Sequence, residues 1–438
     1  MEILEKVFYR SEDTNFGDKE VLKRLFEAHA SLIEYYKKNR ERYLGKQDVF
    51  LLKTKDGKPN NQICVNFIKY ITDMECGYFA GLPWSYSLGD KNIAEKFSAI
   101  KDNNELENID YNHAENCSIY GHSFELQFID GQGEYRMIDL LPENVIMIYS
   151  DTVEKSRLAA IYYASKIDSN NKVVQVGTMY TREYQQDFLL SEGNLILEQE
   201  TVNNIGKVAI VEFKQNKYRT SCFDDILTMI DAYNKGISEK ANDVEYFADA
   251  YLLIAGAVLD EETAKSLKLD RLIYLEELTD RYDIRFLEKP NADGSQENLL
   301  DRLRKEIFTI SGVPDMTAED FGNASGKSLR YRMLALENSR TKKEMQFRSA
   351  LRQRFKHLLS WLGKLSGTGF SGNNIDFTFF KNIPADIAEE ITNAKNLSGI
   401  VSQETQLKSL SIVDDTKAEI ELINKEKGTI DEFTPKGA

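Results

Sequence analysis

At 438 residues the chain is longer than one ordinary hydrophobic core supports, so two or more structural regions are expected. Its formal charge of −15 excludes a surface that grips nucleic acid everywhere, because phosphate affinity comes from lysine and arginine. That charge leaves open a protein that lets DNA slide past an acidic wall, and equally a cytosolic protein kept soluble by acidity. Cys64, Cys76, Cys117 and Cys222 form no CxxC pair and read as reduced thiols outside any metal framework. The opening MEILEKVFYRSEDT has no basic and apolar leader, and no apolar run approaches the ~20 residues of a bilayer span, so a soluble protein without a signal peptide and without membrane contact is expected.

Apolar positions Val21, Leu22, Leu25, Phe26, Ala28, Leu32, Ile33 and Tyr36 recur at helical spacing and predict an amphipathic helix from Lys19 to about Arg42. An extended piece is expected at Val49 to Lys53, then a helix from about Gln62 to Phe79 that stops at Gly81 and Pro83. Asp110 to Tyr120 reads as a helix closed by Gly121. The period then changes to two. Strands are expected over 123–129, 135–141, 145–149, 158–167, 173–180, 183–190, 195–200 and 208–214, with Asp130 to Gly133 as a hairpin turn. The first half is therefore α+β with a mostly antiparallel sheet.

From Phe223 to about Ile254 one apolar stripe (Ile226, Ile230, Tyr233, Ile237, Ala241, Val244, Ala248, Tyr251) predicts a single helix of about 50 Å, suited to packing on copies of itself or on the helix at 297–311, or inside a bundle of one chain. An acidic insert follows at Gly256 to Asp293, with a small helix at 261–267 and strands at 272–276 and 282–287. The helix Glu297 to Ser311 ends at Gly312 and Pro314, and an acidic loop, Pro314 to Lys327, leads into a long helix to Lys364. That last helix holds eleven Lys or Arg against Glu337 and Glu344, so it needs an acidic neighbour, either nucleic acid or another subunit. A Gly-rich loop at 367–374, a strand at 375–381, helices at 385–397, 403–410 and 416–427, and a disordered end from Gly428 complete the chain.

The segment Gly322-Asn-Ala-Ser-Gly326-Lys327-Ser328 imitates a phosphate-binding P-loop. Its glycines are one residue too close, Phe321 fills the required glycine position, and a helix precedes it where a strand is needed. His29, His113, His122 and His357 offer no metal box; for His113 and His122, nine residues apart about a Gly-containing turn, a partly buried or surface role is the default, while His29 and His357 sit on helices. Catalysis has no positive sign, so neither an enzyme nor a cofactor or metal is expected.

In this order the segments resemble the portal proteins of tailed double-stranded DNA bacteriophages, of siphophage type, from about residue 20 to 427. The pieces are Asn60, Asn61, Asn66-Phe67-Ile68-Lys69 and Asp73 leading to Tyr78-Phe79-Ala80-Gly81-Leu82-Pro83; Ile119-Tyr120-Gly121 with Glu125; and Pro142 before Ile148-Tyr149-Ser150-Asp151. Further pieces are Val211-Glu212-Phe213 with Asn216, Ala241-Asn242-Asp243, and Phe247-Ala248-Asp249-Ala250. The strongest runs from Ser311-Gly312-Val313-Pro314-Asp315 through Phe321-Gly322-Asn323-Ala324-Ser325-Gly326 to Leu336-Glu337-Asn338, and the tail adds Gly399 to Thr405 and Asp414-Asp415 with Glu419. Ala209 departs from the pattern, where a proline is expected before the VEF strand.

The resemblance implies an α+β portal-like subunit: a wing at 1–222 and 328–383, stem helices at 223–255 and 294–312, a small α/β clip at 256–293, a tunnel loop at 313–327 and a helical crown at 384–438. It implies a homo-oligomeric ring, of twelve subunits in the virion, at one capsid vertex, with double-stranded DNA passing through. Partners would be the terminase large subunit, a head-completion adaptor, and the major capsid and scaffolding proteins, with assembly in the host cytoplasm. Carried onto this chain, Asp315, Glu319, Asp320, Phe321, Gly322, Asn323, Ser325, Gly326 and Lys327 would line the channel. Glu261, Glu262, Arg271, Glu276, Glu277, Arg281 and Arg285 would dock partners. Arg330, Arg332, Arg340, Lys342, Lys343, Arg348, Arg352 and Arg354 would meet an adjacent subunit or DNA. The alternatives are a nucleotide-dependent enzyme acting on nucleic acid, which Lys327→Ala would disable, and a non-portal oligomeric scaffold.

Overall fold

The computed structural model describes residues 6–53, 59–168, 171–191, 193–248, 252–256, 272–276, 284–286, 293–317, 328, 331–366, 375–382, 387–410, 412–413 and 416–433. It divides into two units, Met1–Lys381 and Asn382–Ala438. The first is mixed α and β, as expected.

Strand β1 (Phe8–Arg10) precedes helix α1 (Lys19–Tyr43), which starts where the Asp18 carboxylate accepts the Glu20 amide at 2.9 Å. The expected extended piece after it is a 3-10 turn, Asp48–Leu51, whose amides turn back on Gln47 and Val49. Helix α2 (Phe67–Ala80) is capped by Asn66, whose side chain accepts the Lys69 amide. Strand β2 (Ser85–Leu88) and helix α3 (Lys91–Asn103), both absent from the sequence reading, come before helix α4 (Leu106–Tyr120). Only glycine fits at the end of α4: Gly121 has φ +90°, and a Cβ there would lie 1.9 Å from the Arg219 carbonyl oxygen.

Strands β3 (His122–Ile129), β4 (Tyr135–Leu140), β5 (Val145–Ser150), β6 (Arg157–Ile167), β7 (Val173–Thr181), β8 (Tyr184–Ser191), β9 (Asn194–Leu197), β10 (Thr201–Val202) and β11 (Ile210–Lys214) follow. One sheet has the order β1-β5-β6-β7-β8-β10 with β9 on β8, antiparallel except where β1 joins β5 in parallel. The other has β3 between β11 and β4. Alternation sends Ile146, Ile148, Ala159, Ile161, Tyr163 and Met179 to one face of the large sheet, where Leu22, Leu25 and Phe26 of α1 cover them. Met147, Ala160 and Tyr180 face the other way and meet Leu126, Leu140 and Ile210 of the small sheet. Ala209 gives its carbonyl to the Gln127 amide at 2.9 Å, a bond that proline could also accept, so the departure from the family pattern leaves the ladder intact.

Helix α5 (Leu227–Ala248) continues a 3-10 turn at Asp224–Ile226 and packs against helix α6 (Asp293–Ser311). Between them lie strands β12 (Leu252–Gly256), β13 (Leu272–Glu276) and β14 (Ile284–Phe286), with β12 central. The single helix expected to reach Ile254 is therefore corrected: 22 residues give ~33 Å, and Leu252 to Ile254 form a strand. A short continuous apolar run suits a strand as well as a helix, and periodicity does not separate them. The expected small helix at 261–267 lies outside the described residues.

Helix α7 (Leu334–Ser366) is the predicted basic helix. Its Phe347, Leu351, Phe355 and Leu358 are buried with Phe79, Trp84, Phe97, Val211 and Phe213. Strand β15 (Ile375–Thr378) returns to pair antiparallel with β2, setting Phe377 opposite Tyr86. The second unit holds helices α8 (Ile387–Leu397), α9 (Gln403–Leu407) and α10 (Thr416–Phe433). Helix α10 runs through Gly428, where the sequence reading expected disorder to begin.

Candidate functional site

The chain before and after the acidic loop meets at one narrow place. Helix α6 ends at Gly312 with φ +71°, its amide bonded to the Phe308 carbonyl. A Cβ on Gly312 would lie 3.4 Å from Ala335 Cβ, so the chain on either side of the loop is in contact. Val313 before the loop and Leu336 after it are both buried in the cluster formed by Phe67, Ile68 and Ile71 of α2 with Ile230 and Ile307. Asp315 pairs with Arg304 at 2.8 Å and accepts the Thr317 amide and hydroxyl, while the Met316 amide reaches the Tyr70 hydroxyl. Arg304 also donates to Thr317. Glu319, Asp320, Phe321, Gly322, Asn323, Ser325, Gly326 and Lys327 lie outside the described residues, as does Arg330.

On the outgoing side the carboxylate of Glu337 accepts from Tyr78 Oη at 2.6 Å, Lys381 Nζ at 2.7 Å and both Nε and Nη2 of Arg340 at 3.2 Å. Burial would raise its pKa, but these bonds, Arg340 first, bring it down to about 2.

The basic helix finds much of its acidic neighbour inside its own chain. Arg354 is fully buried and holds Asp110 at 2.7 Å and Glu125 at 2.5 Å, with Tyr86 bonded to Asp110. Burial pushes Asp110 up and would lower Arg354, yet the two carboxylates lift Arg354 well above its ordinary value. Glu125 is held at about 2: burial raises it, and Arg354 followed by His113 outweighs that. Lys343, also buried, lies 3.6 Å from Glu75 and donates to Ser118 Oγ and the Ala114 carbonyl. Arg340 is taken up by Glu337 and Glu344, and Arg348 shares Glu344. The expected role of Arg340, Lys343 and Arg354 toward an adjacent subunit or DNA is thus corrected, since each is turned inward to acids of this subunit. Arg332, Lys342 and Arg352 are exposed.

All four histidines are buried, which for His113 and His122 corrects the expected surface or partly buried role. His29 donates from Nε2 to the Pro142 carbonyl and accepts at Nδ1 from Tyr163, and His122 bridges Glu212 and Tyr36. His113 faces Ser123 and Glu125, and His357 donates to Gln127. They tie helices to sheets. Of the expected docking residues, Glu276 ends β13 and Arg285 lies in β14 opposite Leu253. Glu261, Glu262, Arg271, Glu277 and Arg281 are outside the described residues.

One feature escaped the sequence reading. Asn234, Ser238 and Asn242, spaced by four on α5, hold the amides of Val65, Ile63 and Asn61 at 2.9, 2.9 and 2.5 Å. Uncharged polar residues at i, i+4 and i+8 beside the apolar stripe of α5 were the available signal. They bind the extended segment that leads into α2.

Comparison with known proteins adds four findings. The family model for phage portal protein, SPP1 Gp6-like, matches residues 22–432. A portal protein of Clostridium phage phiCD119 is 23% identical over 417 residues, covering 88% of this chain and 91% of its own length. One from Bacillus phage SPP1 is 22% identical over 401 residues, covering 85% of this chain and 77% of its own. Among solved structures, a chain from the neck of an empty GTA particle, computed with C6 symmetry, aligns over 80% of this chain and 90% of its own with a TM-score of 0.44 and 11% identity.

Proposed function

The chain belongs to the phage portal protein family, SPP1 Gp6-like, and from that membership we propose that its copies close into a ring at one capsid vertex, around a channel for DNA in packaging and ejection. The observation that carries this reading is the family match over residues 22–432, which takes in α1 to α10 almost whole. The family is structural, so the chain is a conduit, with its driving force supplied by a separate motor.

Within the ring, α5 and α6 would form the stem and the insert between them the clip. The loop after α6 would face DNA, the α+β region with α7 would be the wing, and α8 to α10 the crown. Twelve copies in the virion, docking of the terminase large subunit on the clip, its later replacement by a head-completion adaptor, and contacts to capsid and scaffolding proteins belong to the same proposal. Two physical features support it. Val244, Leu299 and Ile310 on the helix pair are exposed at 63%, 56% and 51%, which leaves apolar surface for a neighbouring copy. A subunit carrying −15 repels a passing duplex and so limits friction. In the loop, Gly322 and Gly326 give the backbone freedom to follow DNA, and Glu319, Asp320 and Lys327 set the local field.

The test is negative-stain electron microscopy of the purified chain at moderate salt. Rings of about twelve-fold symmetry, with a hole wide enough for the ~20 Å duplex, are expected. A chain that stays monomeric at high concentration and hydrolyses ATP would overturn the reading.

A further inference from the structure

Residues on both sides of the acidic loop, Val313 and Met316 before it and Leu336 and Glu337 after it, rest on α2. On the incoming side Val313 is buried against Phe67, Ile68 and Ile71, and the Met316 amide meets Tyr70 Oη at 3.4 Å. On the outgoing side Leu336 enters the same apolar cluster, and Glu337 accepts the Tyr78 hydroxyl at 2.6 Å. Tyr70 and Tyr78 are eight residues apart, ~12 Å along one rigid helix. The same Glu337 oxygens take Lys381, the last residue of the first unit. The strand that delivers Lys381 is anchored by Phe377 and Phe379 in the core, and Arg348 lies over the Phe379 ring at 5.1 Å.

We infer that Tyr78, Glu337 and Lys381 form a clasp that fixes the start of α7, where the chain returns after the acidic loop, and ties it to the chain around Lys381. Glu337 is the node, because one carboxylate accepts from three elements and has no lone pair to spare. Tyr78 and Lys381 are positioning residues: neither belongs to α7, and each holds it through Glu337. The clasp makes the order of the first turns of α7 and the order of the chain around Lys381 a single property. Its service to DNA passage rests on the portal reading, whereas its existence does not.

The experiment is hydrogen–deuterium exchange of the full-length protein, comparing the parent with Tyr78→Phe, Lys381→Met, their double variant, and Lys381→Arg. Tyr78→Phe removes one hydroxyl and keeps the ring in its core position, so the fold is retained. Each of the first two variants should raise exchange at least threefold in peptides covering both 331–341 and 375–382. The double variant should add little to the larger single effect, and Lys381→Arg should restore the parent rate. Exchange that rises only in the peptide carrying the substitution, or effects that simply add, would overturn the clasp. Exchange is read on rings and monomers alike, so absence of rings would count against the portal reading alone.

Discussion

Arg354 carries its charge where water does not reach, and two carboxylates and a tyrosine depend on it. Removing one partner of a buried ion pair leaves the others unpaired, so Arg354→Met should lower unfolding free energy by about 3–5 kcal/mol in urea titrations. Lysine cannot bridge both acids, and Arg354→Lys should recover only part of that loss. The buried histidines predict an acid limit. Burial, the leading cause, holds His29 and His122 down to about 4 and His357 to about 3, from an ordinary 6.5. Between pH 6.5 and about 4 the unfolded chain takes up protons that the folded chain refuses. Stability is therefore full above pH 6.5 and falls with acidification, by up to about 1.4 kcal/mol per pH unit for each histidine. Glu125 acts in a lower window, since its depressed pKa makes its contribution vanish as pH drops from 4.5 toward 2. Urea midpoints from pH 7 to 4 would check the first slope; a flat profile would mean that the histidines are not held neutral by the fold.

At the scale of elements the joints are less tolerant than the helices. Gly121→Ala places a Cβ against the Arg219 carbonyl and forces α4 apart from the chain after β11, so loss of soluble folded protein is expected on expression. On α5, Ser238→Ala leaves the Ile63 amide without its bond and should cost about 1 kcal/mol, read as a lower melting temperature. Helix α7 explains its own composition. Its charge reads as a binding surface until Glu75, Asp110 and Glu125, distant in sequence, arrive beside it. Among the described residues of this stretch, Arg332, Lys342, Arg352, Lys356, Lys364 and the outer part of Arg348 remain exposed.

For the whole molecule, assembly is the property to test. The proposed stem contact predicts that Leu299→Asp, at an exposed position, leaves the melting temperature of the subunit unchanged while shifting sedimentation from rings to smaller species. If rings persist, the exposed side of α6 is not an interface. A subunit of charge −15 also repels its copies, so assembly should be favoured by raising salt from about 0.05 to 0.3 M, where screening shortens the reach of the charges.

Elements whose signal is local were legible in the amino-acid pattern alone. Period-two alternation located the strands from Ser123 to Leu190, glycine and proline ended α2 and α6, and the ordered motifs from Asn60 to Glu419 named the family. Periodicity failed where a run was short and apolar, as at Leu252 to Ile254, and where the apolar stripe was carried by few residues, as by Ile93, Phe97 and Ile100 in α3. Tertiary structure alone decided which charges face outward. Lys343 and Arg354 read as surface residues because burying a charge is prohibitive without a partner. Their partners, Glu75, Asp110 and Glu125, lie more than two hundred positions away in the chain. The neck of the acidic loop is of the same kind: Tyr78, Glu337 and Lys381 share one carboxylate only because α2, α7 and the end of β15 converge there, a fact of packing that no local pattern encodes.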